Sequence, residues 1–382
     1  MTRRIAIFTG SRADWGLLSM PAKRLVEQPG YDVVVIATGQ HAGPSGTFAS
    51  IARDGIAHSM LIDMQIAGDG GVEIAAAMGR LQIAFADALA EQGADMLVIL
   101  GDRYEALTAA TVATMLGVPI VHIAGGDVTE GAIDDAIRHA ISKLAHLHFV
   151  TNTDARRRLL AMGEAPERVL VSGSPGIDRL LHEPLVERGE FFARLSLSPR
   201  QRNVIATFHP VTLSPDSLGQ LQAMLDALAT FGDDLGIIFT GVNADPGFSA
   251  VDAAIAAFAA DRTNVVRHGS LGSSLYTNAL RHCDAVIGNS SSGLYEAPSM
   301  KKPAVNIGDR QQGRLRAASV IDCNPTAADI TAAMARAFVM DCSAVVSPYG
   351  DGTAAEFIAR SIAAIPDPRV LLRKRFTETT SP

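Results

Sequence analysis

The chain has 382 residues, 48% apolar and only 5% aromatic, with 34 glycines and a formal net charge of -7 at pH 7. That length exceeds one comfortable hydrophobic core and points to two domains. The negative charge argues against a nucleic-acid surface, which needs a basic patch, while leaving room for an anionic small ligand held by local arginines. Cys283, Cys323 and Cys342 are widely spaced with no CxxC, so they read as reduced thiols rather than a disulfide frame or zinc site. The opening MTRRIAIFTG runs straight into a strand without a leader-like apolar region, and no run is long and apolar enough to span a bilayer. A cytosolic α/β enzyme is expected.

Residues 4–9 form a β-rich run that ends in Gly10-Ser11-Arg12, followed by a helical pattern over 17–27. Strand, glycine turn and helix make an anion site, because helix N-terminal amides point at the ligand. The spacing is not GxGxxG, so a dinucleotide is not signalled. Arg12 is placed either to pair a phosphate bidentately or to be a solvated loop arginine. Residues 33–37 are a second strand leading into TGQHAGPSG, where His41 is a ligand contact or an ordinary surface histidine. A helix starts near 48, a short strand covers 56–60, and 73–91 is a strongly amphipathic helix.

The densest chemistry follows. Strands at 96–100 and 118–123, with a helix over 106–116 between them, deliver Asp102, Arg103, His122, Asp127, Glu130, Asp134, Asp135, Arg138 and His139 into a short span. Ligands bind at the carboxyl ends of strands in an open parallel sheet. So many ionisable groups there suggest acid–base chemistry on a charged ligand. Helical spacing over 133–144 brings Asp134 and Arg138, with Asp135 and His139, into the first two turns; acids there also serve the helix dipole. A strand at 147–151, a helix at 154–162 and VLVSGSPGIDRL close the first half.

Residues 181–202 are charged and irregular around a short helical piece, and read as a linker. The second half repeats the alternation. A strand at 204–208 ends in His209-Pro210, where the proline fixes the loop. Strands at 236–240, 264–267, 285–287 and 304–307 alternate with helices at 218–231, 251–260 and 275–281, and 354–364 is helical. Such alternation implies parallel sheets with right-handed crossovers. GNSSSG after 285–287 is a nest of amides and hydroxyls that suits a diphosphate or a ribose through Ser290 and Ser291, or else supplies plain N-caps. Glu296, one turn on, accepts from a ribose diol or is a solvated helix residue.

Together GSRADWGLL, LGDRYEAL, HIAGGDVTEGAIDDAIRHAISKLAH, FHPVT, GNSSSGLYEAP, GDRQQGR and YGDG resemble the hydrolysing UDP-N-acetylglucosamine 2-epimerases of sialic-acid and related nonulosonic-acid synthesis. The bacterial branch acting on UDP-2,4-diacetamido-2,4,6-trideoxyhexose for legionaminic acid is included. The resemblance implies an α/β GT-B fold, two Rossmann-like domains whose parallel sheets face a central cleft holding the UDP-sugar. The expected division is 1–178 with the acid–base residues, a connector at 179–203, a UDP-binding domain at 204–355, and a helix and tail at 356–382 packing back on the first domain. No metal, no nicotinamide and no other cofactor are implied. The implied partners are a UDP-sugar and a second copy in a homodimer, with no nucleic acid and no membrane, in the cytoplasm. In family chemistry UDP-GlcNAc loses its C2 proton and UDP by anti elimination, giving a 2-acetamidoglucal. Water then adds at C1 and a proton returns to C2 from the other face, giving ManNAc.

Carried over residue by residue, Arg12 and Arg103 match positions at the diphosphate and active site, and Asp102 and Asp134 match catalytic carboxylates. Arg138 joins the substrate-binding set. His209 matches the histidine near the leaving diphosphate, Ser290 and Ser291 diphosphate contacts, Glu296 the ribose contact, and Arg310 an arginine of the UDP pocket. Asn243 falls on a substrate-side loop. One departure matters: many relatives read HIEGGE, and the glutamate position here is Ala124. Asp127 or Glu130 is expected to take the missing acid–base role. The chemistry needs such groups, because a C2 proton not acidified by a carbonyl requires a positioned base and a later acid, and packed carboxylates have pKa values pushed apart. A non-hydrolysing epimerase, a GT-B glycosyltransferase and an inactive nucleotide-sugar binder are the other readings. The GGDVTEGAIDD segment opposes the first and the acid cluster the second; Ala124 favours the third.

Overall fold

A computed structural model describes residues 2–43, 47–68, 70–128, 133–211, 216–241 and 248–378. In chain order the elements are β1 (Arg3–Thr9), α1 (Arg12–Val26), β2 (Tyr31–Ala37), α2 (Ala49–Arg53), β3 (His58–Leu61), α3 (Gly71–Gln92), β4 (Met96–Leu100), α4 (Tyr104–Leu116), β5 (Ile120–Ile123), α5 (Ile133–Leu144), β6 (Leu147–Val150), α6 (Thr153–Ala161), β7 (Val169–Val171) and α7 (Pro175–His182). There follow α8 (Arg188–Arg194), β8 (Arg202–Thr207), α9 (Ser217–Ala229), β9 (Leu235–Thr240), α10 (Phe248–Ala259), β10 (Val265–His268), α11 (Gly272–His282), β11 (Ala285–Gly288), α12 (Ser292–Ser299), β12 (Ala304–Ile307), β13 (Val320–Cys323), α13 (Ala327–Ala337) and α14 (Ala354–Ala363). The chain divides into two units, residues 1–179 with 352–382, and residues 180–351. Among the described residues no helix is long and apolar enough to cross a membrane.

The first unit holds a seven-stranded sheet in the order β3-β2-β1-β4-β5-β6-β7, all of it parallel. Its central strands are continuous apolar runs, and every residue of β4 and β5 is buried, as a parallel sheet covered on both faces requires. Trp15 and Leu18 of α1 and Ile358 and Ile362 of α14 fill one face against Ile5, Val33 and Val98. Phe85 of α3, Ala109 of α4 and Ile141 of α5 fill the other against Phe8, Ile36 and Ile99. The return of the chain into this unit is fixed by Asp178, whose carboxylate accepts from the first amides of α14, Ala354 N–H at 3.1 Å and Ala355 N–H at 2.5 Å. Beyond α14, Lys374 reaches the carbonyls that end α5, at 2.7 Å from Ala145 O and 2.8 Å from Lys143 O.

The second unit has six parallel strands in the order β10-β9-β8-β11-β12-β13. Leu221 and Met224 of α9, Ile255 of α10 and Met334 of α13 pack on Val204, Ile287 and Val305. The charged segment after α7 is integral to this unit. In RGEFFAR the arginines and glutamate face solvent while Phe191 and Phe192 are fully buried, and α8 packs on α11. Neither β13 nor α13 is legible as a pattern: β13 is an edge strand with one fully buried residue, Ile321, and α13 is largely alanine.

Both sheets reverse their order at one place, between β1 and β4 and between β8 and β11. The crevice at such a switch point is where open α/β sheets bind ligands.

Candidate active site

The candidate residues fall into two groups, one at each switch point. In the first unit the chain leaves β4 through Gly101-Asp102-Arg103. Oδ2 of Asp102 is bound by the Arg138 guanidinium. Arg138 is 7% exposed, so the pair is nearly dry on one side. Asp102 itself keeps about a quarter of its side chain exposed, and Oδ1 bonds no described residue. Arg138 projects from the second turn of α5 and also faces Asp135, at 3.7 Å, which in turn faces His139 at 3.6 Å. Asp134, in the first turn, is half-buried with no partner among the described residues.

Arg103, its neighbour, is committed elsewhere. Its fork grips Glu105 at 3.0 and 3.1 Å, and Glu105 is wholly buried. Asp14 lies on the same side: its Oδ2 accepts from Gly10 N–H at 3.3 Å, and its N–H donates to Ser11 Oγ, the cap of α1. Burial pushes the Asp14 carboxyl above its usual range, against the bond from Ser11 and the charge of Arg103. Arg12 opens α1, exposed and without a partner among the described residues. Among the described residues it is therefore a cation of this group without a counter-charge, whereas Arg103 is paired with Glu105.

His122 is buried on β5. Its Nε2–H donates to Gly101 O at 2.8 Å, and Nδ1 lies 3.1 Å from Ser142 Oγ. Burial lowers it to about 3, so it is a neutral anchor for the Asp102 loop and not an ionised member of the cluster. His41 is likewise not a surface histidine. It is 1% exposed, with Nε2 3.1 Å from Thr9 Oγ1 and Nδ1 2.9 Å from Thr47 Oγ1. Ala124 follows β5 in the left-handed region at φ 62°, its methyl against the core, a conformation costly for a residue with a Cβ. Asp127 lies beyond it, and its Oδ1 accepts from Thr151 Oγ1 at 2.8 Å and Asn152 Nδ2 at 3.2 Å. Glu130 lies outside the described residues.

In the second unit β8 ends at Thr207, and His209 follows, 7% exposed. Alongside, β11 ends in Gly288, which has no alternative: at φ 136° a Cβ there would sit 1.8 Å from Thr207 O. Asn289 comes next, then Ser290 and Ser291, both half-buried at the start of α12. Arg310 and Gln311, in the loop after β12, both donate to Asn289 O, at 3.3 and 2.8 Å. Glu296 on α12 has its carboxyl raised by burial and bonds Ser292, which also bonds the Tyr276 hydroxyl. Asn243 lies outside the described residues. Among those described, no group of three His, Cys, Asp or Glu side chains could hold a metal ion.

Residues 23–363 match the family described as UDP-N-acetylglucosamine 2-epimerase. The chain belongs to that family. It is 34% identical over 324 residues to the GDP/UDP-N,N'-diacetylbacillosamine 2-epimerase (hydrolyzing) of Campylobacter jejuni, covering 84% of each chain. It is 32% identical over 378 residues to the UDP-N,N'-diacetylbacillosamine 2-epimerase (hydrolyzing) of Legionella pneumophila, covering 98% of this chain and 99% of the other. A structure described as a putative UDP-N-acetylglucosamine 2-epimerase from Listeria monocytogenes superposes with a TM-score of 0.81 at 17% identity, covering 95% and 96%. The fold is of the GT-B class.

The two groups differ in the chemistry they offer. The first unit offers carboxylates beside a fixed guanidinium, suited to moving a proton. The second offers amides, hydroxyls and Arg310 around a strand-end histidine, suited to a diphosphate. Sequence reading passed over Asp14, Glu105, Asn289 and Gln311. Ser11-x-x-Asp14 has capping-box spacing and was visible in principle; the burial of Glu105, Asn289 and Gln311 was not.

Proposed function

We propose that this epimerase is a hydrolysing UDP-sugar 2-epimerase acting on a UDP-2-acetamido sugar and releasing UDP and the free 2-epimer. UDP-GlcNAc, giving ManNAc, and UDP-N,N'-diacetylbacillosamine are the two substrates the reading admits. The names of the Campylobacter and Legionella relatives favour the second. The observation that carries the reading is Asp102 held by buried Arg138, with Oδ1 bonding no described residue, at the switch point of the first sheet. A carboxylate fixed in direction, with one oxygen free, is what removal of a weakly acidic C–H needs.

Asp102 takes the C2 proton. The C2–H electron pair becomes the C1–C2 double bond, and the C1–O bond breaks with its electrons going to the departing UDP. Arg12, His209 and the amides after β11 meet the charge that develops there. Water then gives its oxygen to C1 and its proton to solvent, Asp102 likewise returns its proton to solvent, and C2 takes a proton on the opposite face from a carboxyl group that solvent then reprotonates. We assign that proton to Asp134, half-buried and unengaged by described residues. Asp127 is tied to Thr151 and Asn152, and turnover near wild type in both Asp127→Asn and Glu130→Gln would remove those two from the role.

Proton NMR in D2O, run with each sugar nucleotide, tests the reading. Free UDP and a manno-configured sugar deuterated at C2 are expected from one of them. Interconversion with UDP still attached would make it a non-hydrolysing epimerase, and silence with tight UDP binding would leave a transferase or an inactive binder.

A further inference from the structure

His209 is followed by Pro210, which has no N–H, so the loop after β8 cannot close on itself by an ordinary turn bond at that point. Another residue supplies the closure. The Asn289 side chain reaches across from the end of β11 and makes both bonds a peptide group would make. Its Oδ1 accepts from His209 N–H at 2.7 Å, and its Nδ2 donates to His209 O at 2.8 Å. The backbone N–H of His209 can only donate, so the amide has one possible orientation. The backbone of Asn289 is equally engaged. Its N–H donates to Thr207 O at 3.1 Å, and its carbonyl accepts from Gln311 and Arg310. Asn289 is 0% exposed and Gln311 2% exposed, so the bonds of Asn289 to His209, Thr207 and Gln311 are shielded from water. One residue thus ties together the loops after β8, β11 and β12, the three that carry His209, the serine nest and Arg310.

We propose that Asn289 is a positioning residue for the leaving-group step: by clamping the backbone of His209 on both sides, it aims the imidazole at the diphosphate. This rests on the function proposed above. Alanine can make neither bond, and aspartate keeps the acceptor but loses the donor.

The test compares Asn289→Ala and Asn289→Asp with wild type in three readouts. Asn289→Ala is expected to lower the rate of UDP release about 100-fold, as misplacement of a reacting group does, with the UDP Kd within about threefold of wild type. In a His209→Ala background the same change is expected to cost less than about threefold more, since the residue it positions is gone. The His209 imidazole resonance, assigned with His209→Gln, is expected to move in Asn289→Ala without any ligand. UDP release within about threefold of wild type, a full additional loss in the His209→Ala background, or an unmoved resonance overturns the proposal. If Asn289→Ala does not fold, Asn289→Asp carries the same comparisons. Should wild type release UDP from neither sugar nucleotide, the function reading falls, while the resonance still decides on Asn289.

Discussion

Asp102 and Arg103 are neighbours in sequence, yet each answers to a different counter-charge, and this separates their roles. Asp102 is bound to Arg138 through Oδ2, and its Oδ1 bonds no described residue; in the proposed reaction that oxygen takes the substrate proton. Asp102→Asn is expected to abolish C2 deuterium exchange by about 10³-fold while UDP affinity by calorimetry stays within about threefold; equal loss of both would make the residue a binder. Arg103 and Glu105 neutralise each other. Glu105→Gln keeps the shape but leaves the guanidinium unmatched beside buried surroundings. A stability loss of about 3 kcal/mol is expected in urea unfolding, and a loss below about 1 kcal/mol would deny that the pair matters. Asp102 was legible because it follows a buried apolar run at the end of a parallel strand. The Arg103–Glu105 pair was not, since residues two apart do not face each other on a helix. They meet here because Arg103 is the extended cap of α4, at φ -78° and ψ 152°, one residue outside the helix that holds Glu105. The neutrality of His122 was hidden for a similar reason: a histidine in an apolar run shows its chemistry only once its partners are known.

Among the elements, α5 is held toward both ends. Its first turns carry Asp134, Asp135 and Arg138, and its last carbonyls are capped by Lys374. Lys374 also pairs with Glu164 at 2.7 Å, and Lys143 of α5 does so at 2.6 Å. A cation at a helix C-terminus stabilises it, and this one arrives from a segment far along the chain. Lys374→Ala is expected to lower stability by about 2–3 kcal/mol, and to lower kcat without changing UDP affinity, because it loosens the helix that fixes Arg138. A variant with unchanged unfolding would show the strap to be ornamental. Strands and helices of the sheet centres were readable from apolar runs and 3.6-residue spacing. The bonds made by residues 367–378 were not, because Lys374 reaches carbonyls and the Glu164 carboxylate of the first unit, partners that no pattern within the segment announces.

At the scale of the molecule, the first unit carries buried groups that oppose acid. Burial lowers His122 to about 3 and His146 to about 4. The unfolded chain binds protons on both below about pH 6.5 and the folded chain does not, so stability falls as pH drops from that point. The expected slope is roughly 1.4 kcal/mol per pH unit for each histidine. Burial would raise Glu164, but bonds from His148, Lys143 and Lys374 prevail and hold it at about 2. Its stabilisation is complete above pH 4.5, the ordinary glutamate value, and is lost as pH falls toward 2. Urea unfolding at pH 7, 6 and 5 should therefore show a steady decline beginning well above the carboxylate range, and His146→Asn should lessen its slope by about 1.4 kcal/mol per pH unit while His122 keeps the rest; a flat wild-type profile would contradict the burial of these rings. The path of the chain has a further consequence for how the protein is born. Ile358, Ala359 and Ile362 cover part of the first sheet, but the ribosome makes them only after all of residues 180–351. At about 5–20 residues per second the nascent chain presents that uncovered apolar face for on the order of 10–30 seconds, so the unit begun first is the one completed last.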